Sequence, residues 1–261
     1  MDRNNKTKYL NKFIELSNLY LKKDYANNEY KYLLSRISKN KLEQFAFGYF
    51  PTDYSLMIEF IDEFGKLIKE APIPILKDCG IIYQTEKYNK IVSAFKYHSL
   101  LIPVFDIYSN PISIIGRTIV SDDIRKTQNI SKYKYLPFQK RRHIYGLNLS
   151  YKNIIKKDYV VVVEGQFDFI SGFINGIDNI VALGGSKFSF EQIALLKRFT
   201  NNFYVLLDND EAGIAGLESI KKNTGKYGLL IKQLTLPDEY KDLDEYLKNN
   251  QINDIVALIT I

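Results

Sequence analysis

The sequence predicts an α/β fold in two parts: a parallel sheet flanked by helices over residues 158–261, preceded by a mixed α+β subdomain over residues 1–157. Three observations predict it. From Tyr159 onward, short apolar runs alternate with amphipathic runs and short loops, the pattern of strands crossed over by helices. Before Tyr159 that alternation is missing, and helical periodicity gives way to β-like runs. The apolar runs of the second part stop at carboxylates, as in YVVVVEGQFD (159–168) and FYVLLDNDEAG (203–213). Ligands of open α/β sheets gather at such strand ends.

Each element follows from its local pattern. Residues 6–46 read as helical, with Tyr9, Leu10, Phe13, Ile14, Leu16, Leu19 and Tyr20 at helical spacing and a second helix starting over 30–37. Residues 55–69 form an amphipathic helix with Leu56, Phe60, Phe64 and Leu67 on one side, and Pro72 and Pro74 break it. The runs 99–105 and 112–120, joined through Ser109-Asn110-Pro111, read as a hairpin. A basic and aromatic stretch, SKYKYLPFQKRRHIYGL, fills 131–147. Strands are then predicted over 159–163, 179–183, 203–207 and 228–234, and helices over 167–175, 189–199 and 211–222.

Composition limits the function classes. A chain of 261 residues with 46% hydrophobic and 25% charged residues has the makeup of an ordinary globular protein. No apolar run is long enough to span a bilayer, and MDRNNKTKYL lacks the apolar core of a signal peptide. The lone cysteine, Cys79, can make neither an internal disulfide nor a multi-cysteine zinc site. A cytoplasmic setting without membrane attachment is therefore expected. The net charge of +6 coexists with acid clusters, so basic residues are dense elsewhere and suit a polyanionic partner.

Glu164 ends one predicted strand, and Gly165 permits the sharp turn into a helix whose first turn carries Asp168. Asp208 and Asp210 end another strand at i, i+2 spacing, repeated by Asp242 and Asp244 in LPDEYKDLDEYL. A lone acid after a strand is usually a helix N-cap. Joined at successive strand ends, these carboxylates would repel one another unless a hard cation such as Mg²⁺ or Mn²⁺ neutralised them, and such a site can clamp phosphate oxygens. In the basic stretch, Tyr133, Tyr135 and Phe138 alternate with cations, as suits stacking on single-stranded bases. Lys140-Arg141-Arg142 reads as diffuse phosphate contact, and His98 and His143 as structural or surface residues.

EGQFD (164–168), LGGS (183–186), LLDNDEAG (206–213) and KDLDEYL (241–247) resemble the Toprim domain. Upstream, FAFGYFP (45–51), LIPVFD (101–106), IIGR (114–117), KYKYL (132–136) and IYGL (144–147) resemble, in order, motifs of the catalytic domain of DnaG-type primases. The resemblance implies a primase catalytic core that makes short RNA primers on single-stranded DNA from ribonucleoside triphosphates, using two or more Mg²⁺ or Mn²⁺ ions and no zinc. It implies Glu164 as catalytic base or metal-bound acid, with Asp208 and Asp210 as catalytic residues and the main metal pair. Asp168, Asp242 and Asp244 are implied as further metal ligands, and Arg117, Lys132, Lys134 and Tyr135 as facing nucleotide or template.

Several departures qualify it. Gly184-Gly185 replaces the Gly-Thr common in cellular primases, and the cysteines of a zinc module are missing. The chain stops soon after Asp244, where cellular primases carry a helicase-binding domain. A stand-alone core of a phage or mobile element is expected, with a helicase or template-recognition protein acting in trans. The alternatives are a Toprim metal-dependent nuclease and a non-catalytic nucleic-acid-binding replication protein.

Overall fold

The computed structural model describes residues 1–86, 89–185, 187–207 and 228–250. The chain divides into two compact units, Met1–Phe105 with Asn110–Phe138, and Asp106–Ser109 with Gln139–Ile261.

The first unit opens with α1 (Arg3–Leu21), capped by the Asp2 carboxylate on the Asn5 N–H. It continues with α2 (Asn27–Leu34), α3 (Lys39–Leu42), β1 (Gly48–Tyr49) and α4 (Tyr54–Ile68). The apolar side of α1 packs Phe13 against Phe50 and Phe60, ring centroids 5.4 and 5.2 Å apart. Phe50 meets Phe60 edge-on at 5.0 Å, so three fully buried rings form the centre of this unit. Pro72 ends nothing by itself: it starts α5 (Pro72–Asp78), where a missing N–H is harmless. A small hairpin of β2 (Ile82–Gln84) and β3 (Ile91–Ser93) follows. The expected hairpin is present as β4 (Leu100–Phe105) and β5 (Pro111–Arg117). After α6 (Asp122–Thr127), β6 (Tyr133–Tyr135) completes an antiparallel sheet of order β1-β4-β5-β6.

The second unit is the parallel sheet. Helix α7 (Leu147–Lys157) leads into β7 (Val160–Val163), followed by α8 (Gln166–Ile174), β8 (Ile180–Ala182), α9 (Phe190–Leu196), β9 (Asn202–Leu206), β10 (Leu230–Gln233) and α10 (Leu243–Asn249). The strand order is β10-β9-β7-β8, all parallel, with Val163 level with Leu206 on one side and Ala182 on the other. Four consecutive valines fit β7 because both faces of a central parallel strand are buried, and each such valine contributes roughly 1.5–3 kcal/mol. Leu147 and Ile154 of α7 pack into the same core as Val160 and Val162. The compact unit thus begins near Gln139, earlier than the sequence boundary at 157/158, because α7 covers the sheet. Outside β8, Tyr145 makes a short antiparallel bridge to Ala182, with N–O distances of 2.9 and 3.0 Å. The helix expected over 211–222 lies outside the described residues. Among the described residues no helix is long and apolar enough to cross a membrane.

Candidate active site

Glu164 stands at the carboxyl end of β7, the central strand. The backbone on either side is fixed by its neighbours: Leu183 N–H donates to the Val163 carbonyl at 3.0 Å, and Gly184 N–H to that of Glu164 at 2.8 Å. Gly165 is extended, at φ −102°, so its role is not left-handed backbone as the turn suggested. A Cβ there would lie 2.6 Å from Asp168 Oδ2, so the glycine makes room for a carboxylate.

Asp168 sits in the first turn of α8 and is buried. Its Oδ2 accepts the Gly165 N–H at 3.1 Å, and its Oδ1 accepts the Asp244 N–H at 3.0 Å. Asp244, equally buried, accepts the Ser171 hydroxyl on Oδ1 at 2.5 Å and pairs with Lys248 at 3.2 Å through Oδ2. The structure therefore brings Asp168 and Asp244 together beside the Glu164 turn and uses both to dock α10 on α8. Asp242 does something else: it is the N-cap of α10, accepting the Glu245 N–H at 2.8 Å. Asp208 and Asp210 lie outside the described residues. The strand that leads to them, β9, ends level with β7. Among the described residues no three His, Cys, Asp or Glu side chains gather closely enough to hold a metal ion.

Sequence reasoning set Lys140 aside, and the structure brings it in. Lys140 begins a 3₁₀ turn, Lys140–Arg142, and is half-buried. Its Cε and Nζ lie against the Gly184-Gly185 loop, 3.1 Å from where a Cβ on Gly184 would sit and 3.4 Å from one on Gly185. Burial pulls the ammonium pKa down from its ordinary value, and the negative charge of Glu164 pulls it partly back. A cation thus crosses the glycines toward the acid at the end of β7. The signal in the sequence was the glycine pair itself: two residues without side chains beside a strand end leave space for someone else's.

The basic stretch of the first unit divides the same way. Lys132 and Lys134 are exposed, and Lys134 pairs with Gly116 across β5 and β6. Lys134 and Tyr135 line a cavity of about 500 Å³ together with Tyr83, Lys96, Tyr97 and His98. Its lining holds two lysines and no carboxylate among the described residues, and Tyr83 and Tyr97 are well exposed. Tyr135 and Phe138 are nearly parallel, 25° between planes at 6.5 Å. Arg117, expected to face ligand, is buried. Its guanidinium donates to the Tyr32 hydroxyl from Nε at 2.9 Å and to that of Tyr133 from Nη1, and it lies 5.3 and 4.9 Å from their ring centroids.

A parallel sheet with acids at its carboxyl edge, preceded by an antiparallel unit with a cationic, tyrosine-lined cavity, defines a two-part α/β class of protein. The comparisons with known proteins agree. Residues 161–247 match the Toprim-like family, and residues 16–151 match the N-terminal domain of the DNA primase catalytic core. The chain belongs to the DNA primase catalytic core family. It is 32% identical over 230 residues to the DNA primase of Clostridium acetobutylicum, covering 88% of this chain and 36% of that one. It is 29% identical over 197 residues to the DNA primase of Aquifex aeolicus, covering 73% and 39%. The chain spans about a third of the length of these relatives. The crystal structure of the zinc-binding and RNA polymerase domains of the Aquifex aeolicus primase superposes with a TM-score of 0.77 at 25% identity, covering 95% of this chain and 59% of that one. A DnaG primase catalytic domain bound to single-stranded DNA shares the fold, with a TM-score of 0.80 at 22% identity over 98% of this chain and 80% of that one.

Proposed function

We propose that the chain is the catalytic core of a DNA primase, joining ribonucleotides on a single-stranded DNA template by divalent-metal-dependent nucleotidyl transfer. The observation that carries this reading is Glu164 at the end of the central parallel strand, with Lys140 lying over the glycine loop bonded to its carbonyl, in a chain matched by both modules of the primase core. The acids at these strand ends, Glu164 with Asp208 and Asp210, offer carboxylate oxygen alone, which fits Mg²⁺ or Mn²⁺ and does not resemble a Cys/His zinc site. Glu164, with Asp208 and Asp210, would hold the ions, while Asp168 and Asp244, whose oxygens already accept from the chain, brace α8 and α10 beside them. When bound, such ions acidify an attacking hydroxyl and stabilise a leaving pyrophosphate.

The residues of the chain supply the rest. The primer 3′-hydroxyl oxygen attacks the α-phosphorus of the incoming triphosphate, the bond to the β-phosphate oxygen breaks, and pyrophosphate leaves with its electron pair. Glu164 accepts the hydroxyl proton. Lys140 neutralises phosphate charge at the same strand end. Lys132, Lys134 and Tyr135, with the cavity beside them, engage the template or incoming nucleotide by phosphate contact and stacking.

Incubation with single-stranded DNA, Mg²⁺ or Mn²⁺ and labelled ribonucleotides, resolved on a denaturing gel, tests this. Short RNA made without a primer is expected, abolished by EDTA and reduced by a factor of about 100 or more in Glu164→Gln with folding intact. A shortened template with no RNA would overturn the reading in favour of a nuclease.

A further inference from the structure

We propose that Gln192 is a positioning residue for Lys140: its side-chain amide ties the segment carrying Lys140 to the glycine loop that Lys140 crosses. The proposal rests on the reading above that Lys140 serves the site at Glu164. Gln192 lies at the third position of α9 and is 2% exposed. Its Nε2 donates to two carbonyls in separate parts of the chain, His143 at 2.9 Å and Leu183 at 3.2 Å. His143 ends the turn that starts with Lys140, and Leu183 directly precedes Gly184-Gly185. Its Oε1 accepts the Ser189 N–H at 3.1 Å. The orientation of the amide is settled by these partners, because carbonyls only accept and a backbone N–H only donates.

The first turn of α9 holds the same segment twice more. Ser189 Oγ donates to the Arg141 carbonyl at 2.6 Å, and Glu191 pairs with the Arg141 guanidinium at 3.1 Å. The ion pair is exposed and contributes little. The buried amide is the discriminating part. Two donors meet two carbonyls and the oxygen meets the Ser189 N–H, a set that only glutamine, at this length, supplies. Glutamate would bring an anionic oxygen against two carbonyls. An apolar side chain would leave both carbonyls without this donor. The 140–143 turn and the 183–185 loop would then lose their common anchor, and the Lys140 ammonium its fixed height over the glycines.

The test has one arm that does not depend on catalysis. Lysines of the wild-type chain and of Gln192→Met are acylated at one pH, and labelling is read for each lysine by peptide mass spectrometry. Lys140 is expected to label several-fold faster in Gln192→Met, while exposed Lys152 and Lys156 keep their rates. A lower melting temperature with unchanged Lys140 labelling would make Gln192 a helix cap only and overturn the proposal. In the second arm, primer synthesis is measured for Gln192→Met, Lys140→Met and the double variant. The Gln192→Met loss, about tenfold or more, is expected to vanish in the Lys140→Met background. Full additivity overturns the proposal. A wild-type chain that makes no RNA sinks the primase reading, and the labelling arm still decides the role of Gln192. If Gln192→Met does not fold, Ser189→Ala removes the bond to Arg141. It should raise Lys140 labelling by a smaller factor, and no rise counts against the proposal.

Discussion

Replacing Gly184 by alanine tests whether the glycine pair exists to seat Lys140. Gly184 has φ +78°, where an L side chain costs about 1–2 kcal/mol. The lower entropy of the unfolded alanine chain returns about 0.4–1 kcal/mol of that. The new Cβ would also stand 3.1 Å from Lys140 Cε and 3.2 Å from Gln166 Nε2, so the lysine must retreat by a few tenths of an ångström. The net loss is about 1 kcal/mol, a fall in melting temperature of about 2–4 °C. Primer synthesis should fall further, about tenfold, because misplacement of a group at the reacting centre is amplified in rate. Gly185→Ala is the control: among the described residues its Cβ meets only Lys140 Nζ, at an ordinary 3.4 Å, and the backbone needs no left-handed φ. Circular-dichroism melting and the gel assay read both variants. If Gly184→Ala matches Gly185→Ala in melting and in synthesis, the Lys140 seat is not what the glycines are for.

Arg117→Lys should destabilise the first unit by about 2 kcal/mol, since an ammonium cannot bond both phenols and lie between their rings. An unchanged urea midpoint would refute that packing. Burial holds the His98 imidazole pKa below 6.5, opposed by its Nε2 bond to the Ser131 carbonyl and aided by repulsion from Lys134. Its folded pKa being the lower one, the associated stability is complete above pH 6.5 and declines as the pH falls below it. The drop in urea midpoint between pH 7.5 and pH 5 should therefore shrink in His98→Gln, and an undiminished drop argues against a buried neutral ring. Asp242→Ala should cost about 1 kcal/mol of helix capping and leave RNA synthesis per folded molecule within about threefold of wild type. A much larger loss of synthesis would make Asp242 more than a cap.

The parallel sheet was legible because a central strand needs apolar residues on both faces, and Val160–Val163 supplies them. The β2–β3 hairpin was not, because three-residue strands with an exposed Tyr83 carry too little periodicity. Helix α5 hid behind two prolines read as breakers, although the first helical turn accepts proline. At the site, the position of Glu164 followed from strand-end logic, whereas Asp242, expected among the metal ligands, caps α10. The mutual contact of Asp168 and Asp244 depends on how α10 docks, and the seat of Lys140 on a loop far along the chain. Neither distance is written in local pattern. The burial of Arg117 was hidden for the same reason, since Tyr32 reaches it from α2.

The bridge between Tyr145 and Ala182 also bears on how copies of this protein behave beside one another. Strand β8 flanks the sheet, and a bare flank offers N–H and C=O groups on which a foreign strand can grow. Tyr145 occupies a pair of those groups with chain already in hand, so self-association along this border is discouraged without charge or proline. Loosening the 140–146 segment would therefore bring two faults at once, a misplaced cation and a sticky border, and poor solubility would accompany weak catalysis in the same variants.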